Sequence, residues 1–169
     1  MKILFSILIF TLIACATAQK KTAMIKGKIL VHLPYCGGAK PSKEIVKGKN
    51  VPYKSAVFYV KSSMNNDLKK QTISKIETDI NGEFTLNIPQ GKYFIIHEDK
   101  TLSFEKYLLK YNIPKPNYEF IGEKEAKIIF ETADFEFVVE EIKPIEIIYQ
   151  SKCFVGMNRC LKYTGPLPQ

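Results

Sequence analysis

The stretch that most constrains this chain covers residues 76–96, where alternating apolar and polar runs are separated by two turn signals. Ile73, Lys75, Glu77 and Asp79 alternate with Ser74, Ile76 and Thr78. Beyond Asn81-Gly82, the side chains of Phe84, Leu86 and Ile88 fall on one face and those of Glu83, Thr85 and Asn87 on the other. Successive side chains of a strand point to opposite faces, so a period of two marks a strand with one face on a core. Asn81-Gly82 predicts a type I′ hairpin, whose two central residues need positive φ. Pro89, Gln90 and Gly91 make the second turn, and residues 92–97 carry apolar side chains on both faces, the pattern of a strand covered on both sides. Together the three runs predict a meander of consecutive strands.

The remaining segments read as more short strands. Residues 23–33 put Ile25, Gly27, Ile29, Val31 and Leu33 on a core face, with Gly27 marking a bulge or a close backbone approach. Residues 34–52 form a long loop headed by Cys36, residues 56–60 a short apolar strand and residues 61–70 a polar loop. Phe104, Tyr107, Leu108 and Tyr111 recur at helical spacing, which predicts a short amphipathic helix over 103–112, ended by Pro114. Residues 118–121, 126–132 and 135–139 look strand-like. Pro144 argues that the last strand, 142–148, lies at an edge or a bulge. The fold class that follows is all-β: an antiparallel sandwich over 19–152 with one helical insertion, then an irregular tail over 153–169.

The leader is an export signal. Lys2 precedes an apolar run over 3–14 that is short for a membrane span, and small residues follow it. Two cleavage readings compete. Ala16-Thr17-Ala18 is an A-x-A site that makes 1–18 the signal peptide and releases a periplasmic or secreted protein. Leu12-Ile13-Ala14-Cys15 resembles a bacterial lipobox, which removes 1–14 and anchors the chain to a membrane by a lipid on Cys15. The lipoprotein reading is preferred.

Charge separates the two halves. Residues 20–70 hold twelve lysines and two acids, and residues 71–169 hold twelve basic residues and fifteen acids. A basic half can signal nucleic acid, but Arg159 is the only arginine, and base reading and bidentate phosphate contacts favour arginine. No aromatic residues interleave with the lysines as a stacking platform would require. The basic half therefore reads as a solvated lysine-rich surface, and no nucleic-acid partner is expected.

The segments T-D-x-N-G-x-F (Thr78, Asp79, Asn81, Gly82, Phe84) and P-x-G-x-Y (Pro89, Gly91, Tyr93) carry a family resemblance. With the strands around them they resemble the carboxypeptidase regulatory-like domain over residues 23–99, departing from it over 102–141. The resemblance implies a transthyretin-like sandwich: an extracytoplasmic, non-catalytic module with no catalytic residue to transfer. Relatives of that fold bind carbohydrate or proteins, so an envelope protein or a glycan is the expected class of partner.

After export, Cys36, Cys153 and Cys160 remain, an odd number in an oxidising compartment. One disulfide and one free thiol are expected. Cys36–Cys160 would pin the tail to the first loop, and Cys153–Cys160 would close only the tail; a bridge involving Cys36 is preferred. A zinc site of His32 with the three cysteines is the weaker reading, and His32 and His97 are taken as exposed strand residues. Asp79-x-Asn81-Gly82 lacks the further ligands of a calcium loop. No metal or other cofactor is expected.

For catalysis the chain has no G-x-S-x-G, H-E-x-x-H or phosphate-binding glycine loop. Glu131, Asp134, Glu136, Glu140 and Glu141 cluster late and read as outward positions that offset the basic half. Phe104, Tyr107, Tyr111 and Tyr118 read as a packed helix face, with a sugar-binding platform as the alternative. The expectation is a non-enzymatic, lipid-anchored binding or structural module of the cell envelope. A soluble carbohydrate-binding module is the alternative, and an envelope hydrolase using Glu136 or Glu140 comes third.

Overall fold

The computed structural model describes residues 22–38, 41–140 and 143–167. Cys15 and the leader, Glu141 and Ile142 lie outside the described residues. The fold is an all-β sandwich whose two sheets meet over one apolar core. Its first sheet is built on β1 (Thr22–Leu33), which pairs antiparallel through residues 22–28 with β5 (Glu83–Pro89) and through residues 30–33 with β2 (Lys49–Pro52). Ile29 sits at the seam: its N–H donates to the Gly82 carbonyl at 2.8 Å and its carbonyl accepts from Tyr53 N at 2.9 Å. The other side of β1 pairs with β9 (Ile145–Gln150). The second sheet has the order β4 (Ser74–Glu77), β3 (Val57–Lys61), β6 (Gly91–His97), β8 (Phe135–Val139), antiparallel throughout.

Ile25, Ile29, Phe58, Val60, Ile76, Leu86, Ile88, Ile95 and Val139 are all buried between the sheets. Ile25, Ile29, Ile76, Leu86 and Ile88 are alternate residues that the period-two pattern marks, so burying each strand's apolar face accounts for this layer. Strand β6 is central in its sheet and its four residues 93–96 are all buried, as apolar side chains on both faces require. Gly27 faces Phe84 across the β1–β5 pair, and a Cβ there would lie 2.3 Å from the phenyl ring. The close approach expected at this glycine is an aromatic ring laid over it.

The strand sequence does not form a meander. β4 and β6 belong to one sheet and β5 to the other, so the chain crosses between the layers at both turns. The Asn81-Gly82 turn is not type I′ either. Only Gly82 has positive φ (74°), and its N–H donates to the Asp79 carbonyl at 3.1 Å. The Asp79 carboxylate accepts from the amides of Asn81 and Glu83, both at 2.8 Å, which holds the turn from inside. The physical reason is that a primed turn keeps two strands in one sheet, whereas here Phe84, Leu86 and Ile88 must face Ile76 across the core.

Other expectations are corrected. The loop 34–52 contains a short helix α1 (Lys43–Val46), capped by Ser42, and the strand β2. The helix expected at 103–112 is present as α2 (Phe104–Tyr111), with the Ser103 hydroxyl accepting from Lys106 N. Residues 126–132 are not a strand: α3 (Glu123–Glu131) covers most of them and buries Ala126 and Phe130 one turn apart. Tyr107 of α2, Ala126, Phe130 and Cys160 form a second small core, so α2 packs on α3 and the tail rather than on the sandwich. The tail is integrated: β10 (Leu161–Tyr163) pairs antiparallel with β7 (Tyr118–Phe120). β9 is an edge strand, as Pro144 suggested, but it runs parallel to β1.

A Cβ on Gly82 would lie 2.4 Å from the Ile29 carbonyl oxygen, at a φ that side chains rarely adopt. Gly82→Ala is expected to destabilise the protein by about 1–3 kcal/mol. Urea unfolding should show a lower midpoint with an unchanged slope.

Candidate functional site

Where β6 ends, the chain leaves the sandwich through His97 into a single 3-10 turn (Glu98–Thr101) and then into α2. Charged residues cannot stay in the dry interlayer core without partners, and the segment His97-Glu98-Asp99-Lys100 begins where that core stops. Asp99 and Lys100 are nonetheless buried, because α2, the α3–β8 junction and the tail close over them.

The centre of the site is Asp134, whose side chain is only 4% exposed. Its Oδ1 accepts from Lys100 Nζ at 2.6 Å and from Arg159 Nη1 at 3.3 Å, and its Oδ2 accepts from the His97 backbone N–H at 2.8 Å. Lys100 Nζ also donates to the Thr132 carbonyl at 2.8 Å. Burial pushes the Lys100 ammonium below its ordinary range, with Asp134 pulling the other way. The Lys100 carbonyl in turn accepts from Asn66 Nδ2 at 2.7 Å, tying the loop 61–70 to the cluster.

Asp99 makes the second half. Its carboxylate takes hydrogen bonds from Lys110 Nζ and the Tyr111 hydroxyl, and His97 Nδ1 lies 3.2 Å from its Oδ2. His97 Nδ1 also lies 3.4 Å from the Asp99 amide, and its Nε2 is hydrogen-bonded to the Tyr53 hydroxyl at 3.1 Å. Burial opposes the charge on Asp99, but the donors from His97, Lys110 and Tyr111 outweigh it and hold the carboxyl well below the usual range. Burial, and next the charge of Asp99, push the Tyr53 phenol up to about 12. Tyr149 of β9 completes the wall, with its ring among Tyr53, Phe58 and Phe135. These side chains, with Met157 and Arg159, enclose a cavity of about 60 Å³.

The expected site residues are scattered. Cys36 is bridged to Cys153, so the preferred participation of Cys36 holds but its pairing with Cys160 does not. Cys160 is a buried free thiol whose Sγ lies 3.6 Å from the Tyr107 hydroxyl, and burial raises its pKa. Cys160 belongs to the second core while Cys153 is bridged to Cys36, and among the described residues His32 and the three cysteines form no metal-binding group. His32 instead pairs with Asn50 Oδ1 at 2.8 Å. Glu136 is an outward residue paired with Lys92 at 2.7 Å, and Glu131 and Glu140 are exposed. Asp134 departs from that row: the donors of Lys100 and Arg159 draw it inward.

His97 is also not an exposed strand residue, because its ring stacks on Tyr53 at 5.8 Å. Tyr107 is 4% exposed against Tyr111 and Phe130, and so is not a platform for sugars. Asn81, Gly82 and Gly91 serve turns, as expected. The sequence carries one further signal: a chain with a single arginine places it in a cysteine-flanked tail, and that side chain reaches the buried carboxylate of Asp134.

Removing one partner from a buried ion pair leaves an uncompensated charge, which costs about 3–5 kcal/mol. Asp134→Ala is therefore expected to lower stability by that order, and Lys100→Met in the same chain should recover part of the loss in a double-mutant cycle of urea unfolding. For Asp99 the depressed folded-state pKa sets the sign: its contribution is full above the unfolded carboxyl value near pH 4 and is lost as pH falls toward the lower folded value. Stability should fall between about pH 4 and pH 2 more steeply in the wild type than in Asp99→Asn, read from denaturation midpoints across that window.

No family model matches the chain, and no curated protein matches it. A solved structure of the Bacillus anthracis TIE protein aligns with 75% of this chain at 18% identity and a TM-score of 0.34. The chain covers 17% of the length of that protein.

Proposed function

We propose that this protein works outside the cytoplasm as a non-enzymatic module of the cell envelope, anchored by a lipid on Cys15 and acting through binding or structural contact. The observation that carries this reading is the Cys36–Cys153 bridge, which joins the first loop to the tail across 117 residues. Bridges of this kind persist in oxidising compartments, and closing so long a loop constrains the unfolded chain by roughly 4–5 kcal/mol. The leader over 1–14 points the same way. The carboxypeptidase regulatory-like resemblance of residues 23–99 belongs to the same proposal, with an envelope protein or a glycan as partner.

The site geometry favours structure and binding over turnover. The buried carboxylates Asp99 and Asp134 hold donors on both oxygens, and the Cys160 thiol is kept protonated by burial. A nucleophile needs a free base beside it, and these groups are committed to holding the cap on the sandwich.

Expression of the full chain in a bacterial host tests this reading. Alkylation of protein trapped from intact cells should leave Cys36 and Cys153 unmodified until reductant is added. Cys15→Ser should move the protein from the membrane fraction to the soluble fraction. Alkylation of both cysteines without reductant, or unchanged partitioning of the variant, would remove export or the anchor respectively.

A further inference from the structure

We propose that the cavity between the sandwich and its helical cap binds a small carboxylate anion, held by Arg159 and the Tyr149 hydroxyl. This inference concerns the folded domain and stands whether or not the chain is exported.

It rests on which hydrogen-bonding groups around the cavity are already used. Both oxygens of Asp134 and both of Asp99 accept from named donors. One donor beside them is unused. Among the described residues the Tyr149 hydroxyl has no hydrogen-bond partner, although it is fully buried, and Tyr149 is one of the residues that line the cavity. Burial also keeps that phenol protonated, and so available as a donor. Arg159 spends Nη1 on Asp134, and its side chain is 35% exposed, which places it where the cavity meets solvent. A guanidinium has five N–H groups in a planar fork, a geometry that matches a carboxylate.

The size of the cavity agrees with this. The cavity, at about 60 Å³, holds several times the volume that one water occupies. It fits a group the size of acetate, not a sugar ring or a nucleotide. Two sources share this chemistry: a free small acid, or the terminal carboxylate of a peptide whose body stays outside.

Isothermal titration calorimetry of the full-length protein, with ionic strength held constant by sodium chloride, tests the proposal. Sodium acetate should bind saturably at one site and raise the thermal midpoint, since a ligand of the folded state alone stabilises it. Tyr149→Phe keeps the ring packing and should weaken binding at least tenfold, as should Arg159→Gln. Tighter binding of N-acetylglycine than of acetate assigns the site to a peptide end, and the reverse assigns it to a free acid. No saturable heat up to 100 mM acetate, equal binding of sulfate, or undiminished affinity in Tyr149→Phe would each overturn it.

Discussion

The cap beside the sandwich is held by one buried charge, the carboxylate of Asp134. It takes donors from the backbone at the end of β6, from Lys100 in the following turn and from Arg159 in the tail, while its own amide donates to the Ile95 carbonyl at 2.8 Å. The end of β6, the turn after it and the tail are thereby held to one side chain. A carboxylate in a dry setting is costly unless its lone pairs are filled, so this arrangement tolerates few others. The position of the cap follows from that requirement.

The protein has two cores of different kinds. The larger lies between the sheets and is apolar throughout; the smaller, under α2 and α3, is aromatic and includes the thiol of Cys160. Between them runs the ionic layer of His97, Asp99, Lys100, Asp134 and Arg159, with a ring of tyrosines around its cavity. The tail closes this assembly twice, through the disulfide at Cys153 and through β10 against β7. Because β8 ends in one sheet and the tail must be reached from the other, the chain crosses over and β9 enters beside β1 in the parallel sense.

Local pattern carried a large part of this into view. Alternation in 23–33 and 83–88 marked the interlayer face correctly, because the period of two belongs to each strand alone. Helix α2 was legible through the spacing of Phe104, Tyr107, Leu108 and Tyr111. Helix α3 was not. The run Ala126-Lys127-Ile128-Ile129-Phe130 contains β-branched residues that suit a strand, and only the facing surface of α2 makes the Ala126/Phe130 pair decisive. The Asn81-Gly82 turn was found, but its type was misread, since a turn between sheets and a turn within one can share the same residues.

Taken alone, the sequence determined where most strands of the sandwich fall, which of their faces are dry and that the chain turns at Gly82 and Gly91, and it favoured a bridge involving Cys36. Each of these depends on neighbours within a few residues or on the chemistry of one residue type. Tertiary structure alone decided the sheet order, the partner of Cys36, and the burial of Asp134 and His97. Those depend on groups as far apart as Lys100 and Asp134, or Cys36 and Cys153. No local pattern encodes such pairings, because a charge is driven to the surface or drawn inward according to partners that only folding brings within reach.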